Sequence, residues 1–274
     1  MKKVYVITGA TSGIGLELVK YFSVGNTVFA GYRRDCCKQE LSDISENVIP
    51  FYIDMEKPET IAEAGNFVSN NTEKINTIIN VAGCVIAGIT EKLDINELRK
   101  QFEVNTFSHL DFTQRLLNNF RPDKIINVSS MASFGIFPFI APYCASKRAL
   151  DILFNSLSLE SQIPVISVKP GVIATPLWNK SVELNKNAIN NCSGHEEEMK
   201  YLVQNAYNNG KNGLSVNEVV KVIAKADSAK NPKTSYTVGI DAFMTQMISK
   251  LPFDIQNSLI KFALKAKKLK GQKI

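Results

Sequence analysis

The chain lacks the features that mark secreted, membrane-spanning or zinc-binding proteins. No apolar run approaches the ~20 residues that a membrane-spanning helix needs, and Met1-Lys2-Lys3 leads into a short strand rather than the apolar region of a signal peptide. The five cysteines are an odd number without a CxxC spacing, which argues against a disulfide framework and a structural zinc site. With only two histidines, His109 and His195, we expect no bound metal. We therefore expect a cytoplasmic protein in a reducing compartment.

The excess of positive charge is confined to one segment at the C-terminal end. The net charge is +6, but residues 261–274 contain six lysines and no acid, so residues 1–260 sum to about zero. That balance argues against nucleic-acid binding by the body of the protein. The tail is amphipathic, and its apolar positions are Ile255, Leu259, Phe262, Ala263, Ala266 and Leu269. We expect a helix packed on the body or on a second subunit with its lysines in solvent; peripheral contact with an anionic membrane is the alternative.

Short apolar runs alternate with helical patterns along most of the chain. The 274 residues are 45% apolar and 21% charged, as in an ordinary globular protein. Such alternation predicts parallel strands with helices on both faces of the sheet. We therefore predict one α/β domain over residues 1–274, with a doubly wound Rossmann sheet of about seven parallel strands. The predicted strands cover about residues 4–7, 27–32, 48–53, 75–81, 124–128, 165–168 and 236–239.

Two later segments depart from this alternation. Residues 173–214 are rich in asparagine, which indicates an irregular, mobile lid with Leu177 and Trp178 as apolar anchors. Residues 242–270 carry two amphipathic segments and predict a C-terminal helical extension.

A glycine-rich turn follows the first predicted strand. The run Thr8-Gly9-Ala10-Thr11-Ser12-Gly13-Ile14-Gly15 lies between that strand and a helical pattern. In this context glycines let the backbone turn tightly and approach a pyrophosphate, and the helix N-terminus favours the anion. The spacing is GxxxGxG rather than GxGxxG, so an ordinary strand–helix turn is the alternative. We predict a dinucleotide site here.

The second predicted strand ends at Tyr32 and is followed by Arg33-Arg34. An acid at the end of this strand binds the ribose hydroxyls of NAD, whereas arginine accommodates the 2′-phosphate of NADP. A planar guanidinium can bind phosphate through two hydrogen bonds. We therefore favour NADP(H) over a pair of solvated arginines. NAD(H) is possible if a shifted loop brings Asp35 to the ribose.

Tyr143 and Lys147 lie four residues apart on a predicted helix, and therefore on one face of it. A nearby cation favours the phenolate and lowers a tyrosine pKa from its usual ~10, towards the range of efficient acid–base catalysis. Alone, this spacing is weak, because many surface helices contain it. Ser130 precedes the pair, and the apolar residues 134–140 between them predict either core packing or, as we favour, an apolar substrate pocket.

Asn105 lies in the middle of a region, residues 93–117, that predicts one or two helices. Asparagine is mildly unfavourable inside a helix. The residue therefore has either a functional role or a solvent-facing side chain.

These motifs together resemble the short-chain dehydrogenase/reductase family. The resemblance covers residues 3–180, more weakly to 240, and the motifs occur in the family's order. They are Thr8-Gly9-x-x-x-Gly13-Ile14-Gly15, Asp54, Asn80-x-Ala82-Gly83, Asn105, Ser130, Tyr143-x-x-x-Lys147 and Pro170-Gly171-x-x-x-Thr175. Val81 stands where the family often has a second asparagine. The resemblance implies an oxidoreductase in which a nicotinamide cofactor supplies or accepts hydride.

The resemblance implies a role for each catalytic residue. Tyr143 would exchange a proton with the substrate oxygen, and Ser130 would hydrogen-bond that oxygen. Lys147 would lower the tyrosine pKa and bind the nicotinamide ribose, and Asn105 would anchor a water that links Lys147 to solvent. The implied cofactor-binding residues are Gly9, Thr11, Ser12, Gly13, Ile14, Gly15, Arg33, Arg34, Asp54, Met55, Asn80, Ala82, Gly83, Tyr143, Lys147, Pro170, Gly171, Ile173 and Thr175.

The C-terminal extension and Ala174-Thr175-Pro176-Leu177-Trp178 resemble the branch that contains retinol and 17β-hydroxysteroid dehydrogenases. That branch implies a bulky, apolar alcohol or ketone as substrate. A β-ketoacyl-type or small-carbonyl reductase of the same family is the alternative, followed by a non-catalytic NADP-sensing protein. Family members commonly form dimers or tetramers, so we expect a homodimer or homotetramer.

Overall fold

One parallel sheet forms the centre of the molecule. The computed structural model describes residues 2–271, with side chains described to residue 265. In that range seven strands pair in the order β3-β2-β1-β4-β5-β6-β7, and each pairing is parallel. The strands are β1 (Val4–Ile7), β2 (Thr27–Tyr32), β3 (Val48–Tyr52), β4 (Thr77–Asn80), β5 (Lys124–Val128), β6 (Val165–Pro170) and β7 (Ser235–Val238). The predicted sheet is confirmed.

Helices connect the strands and follow the last one. The α-helices are α1 (Gly13–Phe22), α2 (Cys36–Ser42), α3 (Pro58–Asn70), α4 (Ile95–Phe102), α5 (Ser108–Leu117), α6 (Ala141–Ser161), α7 (Leu177–Leu184), α8 (Lys186–Asn190), α9 (Glu196–Asn212), α10 (Val216–Ser228), α11 (Ile240–Ile248) and α12 (Phe253–Gly271). Across the described residues, no helix is both long enough and apolar enough to cross a membrane.

Buried apolar side chains form a cluster on each face of the sheet. Successive strand residues point to opposite faces. Accordingly, Tyr5 and Ile7 belong to the cluster covered by α1 and α10, whereas Val6 belongs to the cluster covered by α3, α5 and α6. Burying one large side chain such as Phe112 contributes roughly 1.5–3 kcal/mol. The sheet is therefore stabilised from both sides, as predicted.

The strand order reverses beside β1, which pairs with β2 on one side and with β4 on the other. In doubly wound sheets ligands bind at such a point, outside the carboxyl ends of the strands. The glycine turn after β1 and residues 81–83 after β4 meet at this crevice. The topology therefore fixes where a site can form.

The region 93–117 contains two α-helices, α4 and α5, joined by a π-helix over Glu103–Phe107. This agrees with the prediction of one or two helices for residues 93–117. Asn105 lies in the π-helix and is completely buried, which excludes a solvent-facing side chain.

The prediction of an irregular segment over residues 173–214 is wrong, because α7, α8 and α9 occupy most of it. Asparagines have low helix propensity, but tertiary contacts override that weak preference. Met199 and Ala206 of α9 are buried. Asn185, between α7 and α8, accepts a hydrogen bond from the backbone N of Ala87 at 2.7 Å. We keep the name lid for residues 173–214.

The predicted C-terminal extension is confirmed as helices α11 and α12. The predicted apolar side chains of Ala266 and Leu269 lie outside the described side chains, and residues 272–274 lie outside the described chain.

Candidate active site at the carboxyl edge of the sheet

The turn between β1 and α1 has glycine where the backbone turns sharply or is closely approached. Gly9 and Gly13 have φ angles of 64° and 54°, a region that glycine enters without strain. A Cβ on Gly9 would lie 2.8 Å from the backbone of Ala82, and one on Gly15 would lie 2.1 Å from the carbonyl oxygen of Gly9. Because the turn opens at the N-terminus of α1, free N–H groups and the helix dipole favour an anion. The cradle fits the pyrophosphate of a dinucleotide.

Side chains from two elements fix the backbone after β4 beside this turn. The hydroxyl of Thr8 accepts hydrogen bonds from the N–H groups of Val81, at 3.0 Å, and Ala82, at 3.3 Å. His109, on α5, donates from Nε2 to the carbonyl of Ala82 at 2.8 Å. Burial, and then the charge of Lys147, lower the pKa of His109 to about 4. The imidazole is therefore neutral at pH 7 and serves as a hydrogen-bond donor.

The side chain of Asn80 points away from the crevice. It donates to Asn127 Oδ1 at 2.9 Å and to Thr113 Oγ1 at 3.3 Å, within the core. Its role in this structure is to join β4 to β5 and α5.

Cationic side chains gather at the end of β2. Arg33 Nη1 lies 3.2 Å from one oxygen of Glu56, and Lys100 Nζ lies 3.0 Å from the other. Arg34 Nη2 lies 3.8 Å from the sulfur of Cys37, on α2. Both guanidinium groups are exposed, so they are accessible to a phosphate at the rim of the crevice.

Residues 54–56 follow β3 on the same edge. Asp54 and Met55 both line the crevice. Asp54 Oδ1 accepts a hydrogen bond from Glu56 N at 3.1 Å, which holds the short turn in place.

Helix α6 and the end of β5 bring three predicted catalytic residues together. Tyr143 and Lys147 lie one turn apart on α6, and both line the crevice together with Ser130. Lys147 is buried, and its Nζ donates to the carbonyl of Val128 at 2.9 Å. Ser130 Oγ accepts a hydrogen bond from Ala132 N at 3.1 Å, which orients the hydroxyl.

Burial dominates the titration of the tyrosine and the lysine. It raises the pKa of Tyr143 to about 12, although the hydrogen bond with Ser130 acts in the opposite direction. It lowers the pKa of Lys147 to about 8, although the charge of Asp151 acts in the opposite direction. In this structure burial therefore outweighs the lowering of the tyrosine pKa that the sequence predicts from Lys147. Tyr143 is protonated at neutral pH, which is the form that can donate a proton.

Asn105 positions the backbone beside Lys147. Its Oδ1 accepts from Cys84 N at 2.9 Å, and its Nδ2 donates to Cys84 O at 3.0 Å and to Ser146 Oγ at 3.2 Å. A Cβ on Gly83 would lie 3.3 Å from Asn105 Oδ1 and 3.7 Å from Lys147 Nζ. The two side chains therefore flank Gly83. A π-helix at this position agrees with the frequent occurrence of such helices at functional sites.

The turn after β6 depends on a carboxylate from α11. Val172 N donates to Asp241 Oδ2 at 2.6 Å. A Cβ on Gly171 would lie 2.0 Å from Asp241 Oδ1, so the approach of this carboxylate requires glycine. Trp178 Nε1 then donates to the carbonyl of Ile173 at 2.7 Å, which ties the start of the lid to the turn.

A cavity of about 900 Å³ extends from the glycine turn to the lid. Residues 137–140 form part of its apolar lining, together with lid residues that include Trp178 and Leu202. Phe139 has a φ angle of 69°, uncommon for a residue other than glycine. Its ring lies 5.8 Å from that of His195, in the lid. The predicted apolar pocket is thus present between this loop and the lid.

Most of the predicted site residues meet at this cavity. Those that line it are Gly9, Thr11, Ser12, Gly13, Ile14, Arg33, Asp54, Met55, Ala82, Gly83, Ser130, Tyr143, Lys147, Pro170, Gly171, Ile173 and Thr175. Four others, Gly15, Arg34, Asn80 and Asn105, lie outside this lining.

Four residues that line or support the cavity were not predicted from the sequence: His109, Lys180, Asn185 and Asp241. His109 has a usable signal, because it lies four residues after Asn105 in a helical pattern. The other three lie in the lid or the C-terminal extension, where no motif indicates their partners; Lys180, for example, donates to Ser12 Oγ.

A doubly wound sheet with a backbone cradle for pyrophosphate, next to a tyrosine, lysine and serine, defines a nicotinamide-dependent oxidoreductase. The model of the short chain dehydrogenase family matches residues 3–186. This chain belongs to the short-chain dehydrogenase family. It is therefore an NAD(P)-dependent oxidoreductase, as the sequence resemblance predicted.

Two relatives and one solved structure illustrate the similarity. The NADPH-dependent 3-dehydrocapnine reductase of Ornithobacterium rhinotracheale is 29% identical over 85% of this chain and 87% of its own length. Estradiol 17-beta-dehydrogenase 2 of Mus musculus is 28% identical over 89% of this chain and 70% of its own length, in agreement with the predicted branch. A short chain dehydrogenase from Burkholderia cenocepacia, solved with NADP, has a TM-score of 0.72 at 23% identity, covering 94% of this chain and 97% of that one.

Proposed function

We propose that this protein transfers hydride between NADP(H) and the carbonyl or alcohol group of a bulky, apolar substrate. The observation that carries the proposal is the cavity, in which Tyr143, Lys147 and Ser130 lie between the glycine turn and an apolar wall. When bound, the nicotinamide supplies or accepts the hydride. The chain's residues orient the substrate, exclude water and move the proton.

Tyr143 is the acid in the reducing direction and the base in the oxidising direction. Its phenol gives its proton to the substrate oxygen as the carbonyl carbon receives hydride, and the reverse transfer accompanies oxidation. Ser130 hydrogen-bonds the same oxygen and stabilises the charge that develops on it. Lys147 binds the nicotinamide ribose and favours the phenolate that remains after transfer. Asn105, through Cys84 and Ser146, fixes the backbone beside Lys147.

The proposal of a bulky substrate rests on the loop of residues 134–140 and on the lid. Phe137, Phe139 and Ile140 line the cavity together with lid residues Trp178 and Leu202, so the cavity that holds the acid–base pair also presents apolar surface. The similarity to an estradiol dehydrogenase and to a reductase of 3-dehydrocapnine supports a substrate of this kind.

NADP is the proposed cofactor because Arg33 and Arg34 lie at the rim where the adenosine ribose binds in this fold. The NADPH dependence of the Ornithobacterium reductase supports this choice. NAD remains the second candidate, through Asp35.

The test is a pair of conservative substitutions. Tyr143→Phe removes the hydroxyl that carries the transferable proton and keeps the ring, so turnover of a panel of apolar ketones should fall by about 10³-fold, while the Kd for NADPH stays within twofold of wild type. Tyr21→Phe, on the exposed face of α1, is the matched control and should leave both quantities unchanged. Full turnover by the Tyr143→Phe protein would refute the assignment.

The same panel separates the alternatives. A β-ketoacyl-type or small-carbonyl reductase would give a higher kcat/KM for short polar ketones than for apolar ones. A non-catalytic NADP-sensing protein would bind NADPH and turn over no member of the panel.

Helix α11 supports a proposal about the C-terminal extension. Ile240, Phe243, Met244 and Met247 lie on one face of it and are 74%, 50%, 56% and 47% exposed. Residues 242–274 contain seven lysines and one acid. Exposed apolar side chains beside a cationic segment suit the surface of an anionic bilayer. We therefore propose peripheral contact with anionic lipid, by which an apolar substrate reaches the cavity.

Sedimentation with vesicles tests this contact. Wild-type protein should bind vesicles that contain phosphatidylglycerol and release them in high salt, whereas Phe243→Ser should bind them several-fold more weakly. Ile95→Ser, an exposed apolar residue of α4, is the matched control. No binding by wild type, together with a dimer that dissociates in the Phe243→Ser protein, would favour the alternative of a second subunit on this face.

Three further predictions belong to this proposal. We propose one domain over residues 1–274, a homodimer or homotetramer, and residence in the cytoplasm, where five free cysteines remain reduced. Light scattering of the purified protein reports the oligomer, and fractionation of cells reports the compartment.

A further inference from the structure

Lys180 brings a positive charge from the lid to the phosphate turn. It lies on α7, and its Nζ donates to Ser12 Oγ at 3.0 Å. It lines the cavity together with Ser12 and Arg33. The helix that carries it starts two residues after Thr175, whose Cγ2 would lie 3.2 Å from a Cβ on Gly13. The start of the lid therefore packs on the glycine turn at two points.

The charges of two arginines act on the ammonium of Lys180. Partial burial, and then the positive charges of Arg34 and Arg33, lower the pKa of Lys180. The hydrogen-bond partner of its ammonium is a neutral hydroxyl rather than a carboxylate. Bringing like charges together costs free energy, and a doubly charged phosphate among them would remove that cost. The combination of guanidinium, ammonium and hydroxyl donors is the usual set of ligands for phosphate.

We propose that Lys180 binds the adenosine 2′-phosphate of NADP together with Arg33 and Arg34, and thereby ties the lid to the cofactor. This inference rests on the proposed function, since it assigns a ligand to the same cofactor. The 2′-phosphate is favoured over the pyrophosphate because the two arginines whose charges act on Lys180 follow β2, at the adenosine end of the site.

The assignment changes the role of α7. Lys180 would belong both to the phosphate site and to the lid. Through this residue, binding of the cofactor would be coupled to the position of the lid around the substrate. Trp178, on the same helix, holds the turn after β6. Cofactor binding at Lys180 would therefore hold the lid over the substrate.

Nucleotide binding measured without turnover tests the proposal. The Kd values for NADPH and NADH are obtained from fluorescence titrations of wild type, Lys180→Met and Lys180→Arg. Lys180→Met should raise the Kd for NADPH about tenfold, as expected for one charge-assisted contact, and change the Kd for NADH less than twofold. Lys180→Arg should restore most of the NADPH affinity. Lys211→Met, which removes an exposed lysine from α9, is the matched control and should bind both nucleotides as wild type does.

Limited proteolysis with a glutamate-specific protease gives a second readout. Saturating NADPH should slow cleavage of the lid at Glu183 and at residues 196–198 in wild type and in Lys211→Met. It should slow cleavage less in Lys180→Met. Thermal unfolding without nucleotide shows whether each variant is folded.

The outcomes separate this inference from the proposed function. Wild-type protein that binds neither nucleotide would overturn both. Wild-type binding with an unchanged NADPH Kd in Lys180→Met would overturn only the inference. Equal weakening of NADPH and NADH would also overturn it, because the contact would then be to a phosphate that both nucleotides share.

Discussion

The two walls of the cavity are built in different ways. The cofactor wall, comprising the glycine turn and residues 81–83, consists largely of backbone groups that approach one another too closely for side chains. The other wall, which we propose binds substrate and call the substrate wall, comprises residues 137–140 and the lid, and it consists of side chains on helices and a loop. On the first wall geometry dictates the residue type. On the second, many apolar side chains would serve. This difference explains why one wall is recognisable from sequence and the other is not.

The largest contrast between the walls should come from two glycines that both lie in helices. Gly15→Ala puts a Cβ 2.1 Å from the carbonyl oxygen of Gly9, so we expect a loss of at least about 3 kcal/mol of stability and of NADPH binding. Gly210→Ala, in α9, meets nothing closer than Trp178 Cβ at 3.6 Å and should gain up to about 1 kcal/mol from helix propensity. Chemical denaturation measures both. Similar changes in stability at the two positions would contradict the claim that geometry dictates the residue type on the cofactor wall alone.

A pH dependence of comparable size should come from His109, on the cofactor wall. Its pKa is about 4 in the folded protein, below the ~6.5 of an unfolded chain. The unfolded state therefore binds the proton first as pH falls. The neutral imidazole makes its full contribution to the free energy of unfolding above pH ~6.5. About 3 kcal/mol of that free energy is lost as the pH falls from ~6.5 to ~4. Denaturation at a series of pH values should show a shallower loss for His109→Gln than for wild type; equal slopes would contradict this role.

A smaller pH effect should appear in catalysis. Burial lowers the pKa of Lys147 to about 8. If the ammonium is the active form, kcat/KM should decline above pH 8 by about tenfold per pH unit. In Lys147→Arg, which keeps its charge, any residual activity should lack this decline. Initial rates measured between pH 6 and 10 test this prediction. A variant whose kcat/KM still declined above pH 8 would show that titration of Lys147 does not cause the decline.

The smallest effect should arise on the substrate wall, at Trp178→Phe. The variant keeps an aromatic ring but loses the hydrogen bond to Ile173 O, worth about 1 kcal/mol. We expect KM for an apolar ketone to rise about fivefold, with kcat unchanged and a smaller loss of NADPH affinity, because α7 also carries Lys180. A larger loss of NADPH affinity than of substrate affinity would contradict the placement of Trp178 on the substrate wall.

The sheet and the cofactor wall could be predicted from sequence because few residue types satisfy them. Gly9, Gly13 and Gly15 are required by a turn in which a side chain has no room, and βα alternation fixes the topology. The four-residue spacing of Tyr143 and Lys147 likewise placed them on one helix face.

The lid could not be predicted because its helices depend on distant partners. Asn185 looks like a loop residue until its amide meets the backbone of residues 85 and 87. The pKa of Tyr143 could not be predicted either. The spacing to Lys147 suggests a lowered value, but the extent of burial, which only the folded chain determines, raises it to about 12. Asn80 carried a family motif and nevertheless points into the core.

The carboxylate of Asp241 has a consequence for how this protein is made. The motifs by which the family is recognised lie within residues 8–175, yet the turn after β6 is held by a residue 69 positions beyond Val172. A nascent chain therefore contains every recognisable motif before it can complete the turn after β6. A gene fragment ending shortly before codon 241 would still be recognised as a dehydrogenase, but its product would have an unfinished active site.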